Sequence, residues 1–306
     1  MSEKILNAAV VGVGVMGRNH VRVLSEMPHV HLEATCDPHT TPDTSVAHYS
    51  DLDTLLSQHR IDFVVIAVPT PLHDQIAFAC IDRGIHLLIE KPAASRAPKA
   101  GEIARAAERK KIKTAVGHIE RFNPVVEALS RELENKEIFS ISISRIGPLP
   151  PRVKDVGILT DLAVHDIDLI RLITHKEILN TSIYKSRKIH YHNEDNAVLL
   201  FQLQNDILAN ITTNWLTPFK KRKIEVATND TYFEADLISQ ELREFSALSD
   251  DDSYVKTRSC PVHKGEPLVN ELQAFVNFVN TGDRGNLATI EDSILTLEII
   301  DSVSDN

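Results

Sequence analysis

Two short stretches of this chain carry side chains suited to managing a proton and a charge at an alcohol. In Glu90-Lys91-Pro92 a lysine follows the apolar run 86–89. An ammonium at the end of a strand can hydrogen-bond a reacting hydroxyl and stabilise the negative charge developing on it. The opposed reading is a surface ion pair beside a turn proline, and that proline also suits a cis bond that fixes the turn. The second stretch runs from Asp161 to His165, on a helix predicted over 160–173. The i, i+4 spacing puts carboxylate and imidazole on one face, one turn apart. His165 is the natural general base for an alcohol proton, because the ordinary histidine pKa is roughly 6.5. Asp161 can orient the ring, raise its basicity or hydrogen-bond a substrate, and Asp168 lies on nearly the same face as support. A helix-surface pair and a metal site are the alternatives; no third His or Cys stands at telling spacing, so no metal is assigned.

Residues 8–17, AAVVGVGVMG, are an apolar run that breaks into Gly12, Gly14 and Gly17. Asp37 follows at the end of a second apolar run, 30–36. Gly12 allows a tight strand-to-helix turn, Gly14 lets the backbone approach a pyrophosphate, and Gly17 lets the helix pack closely on the strand. Val15 and Met16 open that helix, whose unpaired N–H groups and positive dipole end favour phosphate. A carboxylate placed like Asp37 accepts hydrogen bonds from ribose hydroxyls and repels a 2′-phosphate. Pro38, His39, Thr40 and Thr41 bring no Lys or Arg to neutralise such a phosphate, so NAD is expected over NADP.

The elements that must hold these residues alternate in the first part of the chain. Strands are predicted at 8–11, 32–36, 63–68, 86–89 and 114–117, with helices at 19–26, 52–58, 72–83 and 99–110. Such alternation implies parallel strands covered by helices on both faces, with ligands outside the strands' carboxyl ends. The second part alternates apolar and polar residues, as at 137–145, with further strands at 197–203, 207–215, 223–227 and 231–236. This predicts a mainly antiparallel sheet with one covered face, and a free face that favours an oligomer. The stretch 289–303 has the spacing of a packed helix, one expected to pack at the domain interface. The formal charge of −10 argues against nucleic acid or anionic membrane as partners. No run is long enough for a membrane span and the N-terminus leaves no room for a signal peptide. Three scattered cysteines suit reduced thiols in a cytoplasmic protein.

The glycine-rich start, VPTPLH at 68–73, EKP at 90–92, GHIERFNP at 117–124, the pattern from Gly157 to His165 and EPLVNELQAF at 266–275 occur in a familiar order. Together they resemble the glucose–fructose oxidoreductase/inositol dehydrogenase (Gfo/Idh/MocA) family over nearly the whole chain. The resemblance implies an α/β chain: an N-terminal Rossmann domain, 1–119, and a C-terminal α+β domain, 120–306, with a large open, mainly antiparallel sheet used for homo-oligomerisation. It implies NAD(P)-dependent oxidation of a hydroxyl on a sugar, cyclitol or related small molecule. By motif, Lys91 is the active-site lysine and His165 the proton acceptor with Asp161 beside it; Pro69, Thr70 and His73 line the cofactor, with Glu90 and Lys91 near the nicotinamide. Many members have two glycines before the Asp/His helix, where this chain has Val156-Gly157.

RFNP at 121–124 and the stretch 155–171 are similar to a branch acting at C3 of UDP-N-acetylhexosamines. Such a substrate needs cations for its diphosphate: Arg121, Arg152 and the cluster 220–223 are candidates, with Asn123 as a further substrate contact. Trp215 offers a stacking surface for a ring. The alternatives are that Trp215 fills the domain interface and that 220–223 is a solvated turn. Oxidation of a free cyclitol or another sugar, and a non-catalytic NAD-bound sensor, are the competing functions.

Overall fold

The computed structural model describes residues 4–150, 156–190, 192–247 and 255–302. The chain divides into two compact units, one formed up to Ile119 together with Leu268–Glu298, the other by Glu120–Pro267 and the chain from Ile299.

The first unit is built on β1 (Leu6–Val11), β2 (Val30–Cys36), β3 (Ala47–Tyr49), β4 (Phe63–Ile66), β5 (His86–Glu90) and β6 (Thr114–Gly117). They form one sheet ordered β3-β2-β1-β4-β5-β6 with every pairing parallel. Parallel neighbours need crossovers, supplied here by α1 (Val15–Glu26), α2 (Leu52–Gln58), α3 (His73–Asp82) and α4 (Ala97–Arg109). Ala9, Val10, Val65, Ile66 and Leu87 have no exposed surface, which is why the central strands are apolar on both faces. Strand order reverses between β1 and β4, so a ligand crevice opens at their carboxyl ends. Gly12 sits in that crevice with φ of +90°, and a Cβ there would lie 2.6 Å from the backbone of Ala67 and Val68. A Cβ on Gly17 would lie within 1.9 Å of the Gly12 carbonyl oxygen. Both glycines are therefore demanded by the turn itself. Cys36, Cys80 and Cys260 are free and buried, and burial pushes the Cys36 and Cys80 thiols up to about 11 and about 12.

The second unit contains α5 (Pro124–Glu132), β7 (Ile138–Pro148), α6 (Val164–Thr174), β8 (Ile178–Ser186), β9 (Asn196–Leu203), β10 (Leu208–Asn214), β11 (Leu216–Thr228), β12 (Thr231–Asp236), β13 (Glu241–Ser246) and β14 (Thr257–Cys260). Its eight strands run β14-β13-β12-β11-β7-β10-β9-β8, antiparallel except where β7 meets β10. Val125 and Leu129 of α5 and Ile167 and Ile170 of α6 join Ile141, Leu199, Ile211 and Val226 in one core. On the strands, buried and open residues alternate. Tyr184 and Leu208 are 69% and 60% exposed, with Val198 and Leu200 also exposed. Residues 220–223, one alternative for which was a solvated turn, are strand residues of β11, whose pairing with β7 shifts register between Leu216 and Lys221.

The assignment of everything after residue 119 to the second domain requires correction. Helices α7 (Pro267–Thr281) and α8 (Ile290–Asp301) return to the first unit over Leu268–Glu298. The physical reason is packing: Phe275 meets Phe63 edge to face at 5.4 Å, and Val116 donates its N–H to the Ala288 carbonyl at 2.9 Å. Among the described residues no helix is long and apolar enough to cross a membrane.

Candidate active-site residues

In the first unit the candidate residues stand at the carboxyl ends of β1, β2, β4 and β5. Gly14 caps α1, and a Cβ there would meet nothing within 4 Å, so the space over the helix start is open to a phosphate. Val15 is 55% exposed at that helix start. The Asp37 carboxylate accepts from Val13 N–H at 2.9 Å and from His39 and Thr40 N–H at 2.8 and 3.0 Å. Burial works to raise this carboxyl, but the three backbone donors outweigh it and hold the group below its ordinary value. A rigid anion thus stands beside the glycine turn, which fits NAD.

Pro69 and Thr70 lie on a short turn after β4, with Pro69 exposed. His73 is only 1% exposed. Its ring nitrogens face the carbonyls of Pro92 at 3.0 Å and Val68 at 2.9 Å. Burial lowers its pKa, so the neutral ring donates to one carbonyl at a time. His73 therefore ties the 68–73 turn to the lysine turn rather than facing a ligand. The Lys91-Pro92 bond is cis, and α8 holds the turn through a bond from Ala93 N–H to Ser293 Oγ at 3.2 Å. Glu90 accepts from His20 Nε2 at 2.7 Å and from Lys91 N–H at 3.3 Å. Burial works to raise the Glu90 carboxyl, but the His20 bond and charge and the Lys91 ammonium hold it below the usual range.

In the second unit Asp161 and His165 do not share one regular helix. Asp161 lies on a π turn, Leu159–Ala163, that leads into α6, where His165 sits half-buried. Such wide turns are frequent at functional sites. Glu194 fixes the start of this segment: its carbonyl accepts from Ile158 N–H at 3.0 Å and its Oε1 from Leu159 N–H at 3.2 Å. A Cβ on Gly157 would lie 2.0 Å from that Oε1. Gly157→Ala is therefore expected to push Glu194 off the helix start, costing about 0.5–2 kcal/mol as for a lost cap. Urea unfolding checks the loss, and a variant as stable as the wild type would remove Glu194 from this role.

Asp161 borders an open cleft of about 540 Å³ with Trp215, Lys220, Arg222 and Arg145. Trp215 is 2% exposed, a core residue tilted against His190, so it contributes an edge to this cleft and no open stacking face. Lys220 is exposed on the rim of the same cleft. Arg152 lies outside the described residues.

Two expected substrate contacts are structural instead. Arg121 places Nε 2.7 Å from Asp168 Oδ2 and Nη2 against Oδ1, with both side chains buried. Asp168 is thus the counter-charge of Arg121. Asn123 caps α5, and its amide donates to Glu120 at 3.3 Å and to the Leu237 carbonyl at 3.1 Å. Beneath them Arg145 donates to Asp166 at 2.8 Å and to Glu120 at 2.7 Å, and Arg222 reaches Glu120 at 3.2 Å. Burial disfavours the charge on Arg145, but Asp166 and Glu120 outweigh it and push its pKa up. Glu132, Glu244 and Cys260 are close enough to share an ion, but Arg258 already holds both carboxylates, at 2.6 and 2.5 Å.

Residues 6–118 match the model of an oxidoreductase family with an NAD-binding Rossmann fold, and residues 141–234 match the GFO/IDH/MocA C-terminal domain. The chain is 24% identical over 281 residues to a UDP-N-acetylglucosamine 3-dehydrogenase of Acidithiobacillus ferrooxidans, covering 90% of this chain and 88% of that protein. It is 26% identical over 222 residues to an inositol 2-dehydrogenase of Saccharopolyspora erythraea, covering 67% and 66%. A solved structure of the Acidithiobacillus enzyme superposes with a TM-score of 0.88 at 22% identity, covering 97% and 96% of the two chains. An Agrobacterium radiobacter oxidoreductase solved with NAD+, L-tartaric acid and magnesium gives 0.86 at 16% identity, covering 99% and 96%.

Proposed function

This chain belongs to the GFO/IDH/MocA oxidoreductase family, and from that premise we propose that it oxidises the C3 hydroxyl of a UDP-N-acetylhexosamine such as UDP-N-acetylglucosamine. It is an NAD-binding oxidoreductase. The observation that carries the substrate reading is Lys220, an exposed cation on the cleft that Asp161 also borders. The likeness to the Acidithiobacillus enzyme over 90% of the chain supports it.

Bound NAD supplies the hydride acceptor. The turn at Gly12, Gly14 and Gly17 admits its pyrophosphate, and Asp37 accepts from the ribose hydroxyls while repelling a 2′-phosphate. His165 takes the hydroxyl proton as general base, with Asp161 orienting ring or sugar. Lys91 stabilises the negative charge that grows on the sugar oxygen as hydride leaves. Lys220 meets the diphosphate as a positive charge. The apolar residues on the open face of the eight-stranded sheet, Tyr184, Val198, Leu200 and Leu208, support a homo-oligomer. The cytoplasm suits three free thiols.

The test follows NADH formation against UDP-sugars, free hexoses and cyclitols. Lys220→Met is expected to raise KM for the UDP-sugar about tenfold, equivalent to ~1.4 kcal/mol, with kcat nearly kept. The inositol dehydrogenase relatives favour a second reading, a free cyclitol. Turnover confined to cyclitols and indifferent to Lys220→Met would establish that reading instead.

A further inference from the structure

One buried ionisable group has no part in this chemistry. In α7, Leu268, Leu272 and Phe275 are buried in the first unit, and Glu271 lies on the same helix face with no exposed surface. Neither of its carboxyl oxygens has a hydrogen-bond partner among the described residues. A charge left so would carry the uncompensated desolvation penalty of a buried unpaired ion. One turn further along α7, Phe275 packs on Phe63 of β4, the strand paired with β5. Helix α7 therefore lies against the sheet that carries Glu90 at the end of β5, and the Glu90 charge acts on Glu271. Around Glu90 itself stand His20 from α1, at 2.7 Å, and Lys91, whose N–H it accepts.

We propose that Glu271 is a positioning residue for the Lys91 turn, a carboxylic acid that keeps its proton so that the pair's single negative charge stays on Glu90. Two carboxyls in one dry site cannot both ionise, and the proton goes to the one without partners. Burial first, and then the Glu90 charge, push the Glu271 carboxyl well above the ordinary range, in agreement with this division. The charge on Glu90 is what holds His20 and attracts the Lys91 ammonium. Ionisation of Glu271 would set a second anion against Glu90 and disturb the turn from which Lys91 acts. The proposal rests on the reading of Lys91 as the charge-stabilising group.

Infrared difference spectra of the ligand-free full chain, wild type minus E271Q at neutral pH, are expected to contain a protonated-carboxyl C=O band. Thermal unfolding gives a second readout. The unfolded Glu271 carboxyl titrates near 4.5 while the folded one keeps its proton, so its contribution to stability falls as pH rises above that value. The Tm gain of E271Q over wild type should therefore grow from acid to alkaline pH. In turnover, the alkaline fall of kcat should move to higher pH in E271Q. Absence of the infrared band, or a Tm difference independent of pH, would mean that Glu271 is ionised and would overturn the proposal. An alkaline limb left in place would deny Glu271 any action on the turn. Failure of the lysine reading is separate: Lys91→Met would keep its turnover while the infrared band stayed.

Discussion

His165→Asn is expected to lower kcat by about 10²–10⁴-fold, the usual contribution of a positioned general base. Asparagine keeps a similar volume on α6 and has no basic nitrogen to accept the proton. The glycine turn and Asp37 lie in the other unit and do not depend on this side chain, so the Kd for NAD should stay within about twofold. The helix should also stay in place. Ile167, Ile170 and Ile173 are buried in the second core, and Gly157 with Glu194 fixes the preceding turn. Single-turnover NADH formation together with equilibrium NAD binding separates these effects. Undiminished turnover would take the base role away from His165, and a parallel loss of NAD binding would point to misfolding.

The largest stability effect is expected at Arg145→Met, about 3–5 kcal/mol, because removing one partner of a buried ion cluster leaves uncompensated charge. Two guanidinium groups, Arg145 and Arg222, face two carboxylates, Glu120 and Asp166, with Arg145 and Asp166 fully enclosed. The pH dependence follows from Glu120. Burial works to raise its carboxyl, but Arg145 and then Arg222 hold it below the ordinary glutamate value of 4.5. In the wild type its stabilisation is present above that value and lost as pH falls through the lower folded value. In Arg145→Met the unpaired carboxyls take up protons in the folded state, so the deficit should shrink as pH falls from 7 toward 4.5. Urea unfolding at several pH values measures this. A deficit below 1 kcal/mol at neutral pH, within the range of an exposed pair, would show that the cluster contributes as little as a surface bridge.

Much of the first unit was legible because its signals are local. The run into Gly12, the helix start at Val15 and the acid at Asp37 each sit within one strand–turn–helix step, and backbone geometry imposes them. The parallel sheet followed from the alternation of strand and helix patterns along the chain. The second unit was less legible at its edges. Strands β8, β13 and β14 have polar residues on both sides and carry little alternation, and β11 hides four cations in a bulged strand. Among functional residues, Glu194 and His20 gave no signal, since their partners lie 35 and 70 positions away. Glu271 did have one: an acid at helical spacing between Leu268 and Phe275 stands on the buried face.

By itself the sequence determined the dinucleotide turn, the preference for an unphosphorylated ribose and the presence of a lysine turn and an Asp/His segment. These are set by residue type and near spacing, which one chain displays directly. Only the tertiary structure decided which cations face inward to partners and which face a cleft. Arg121 and Asn123 belong to a short motif that reads as a ligand contact, yet Asp168, 47 residues on, and Glu120 with the Leu237 carbonyl claim them. Lys220 stays exposed on the cleft. The reason is physical: a buried charge must find its counter-charge wherever the fold brings one, and that meeting has no spacing in the sequence.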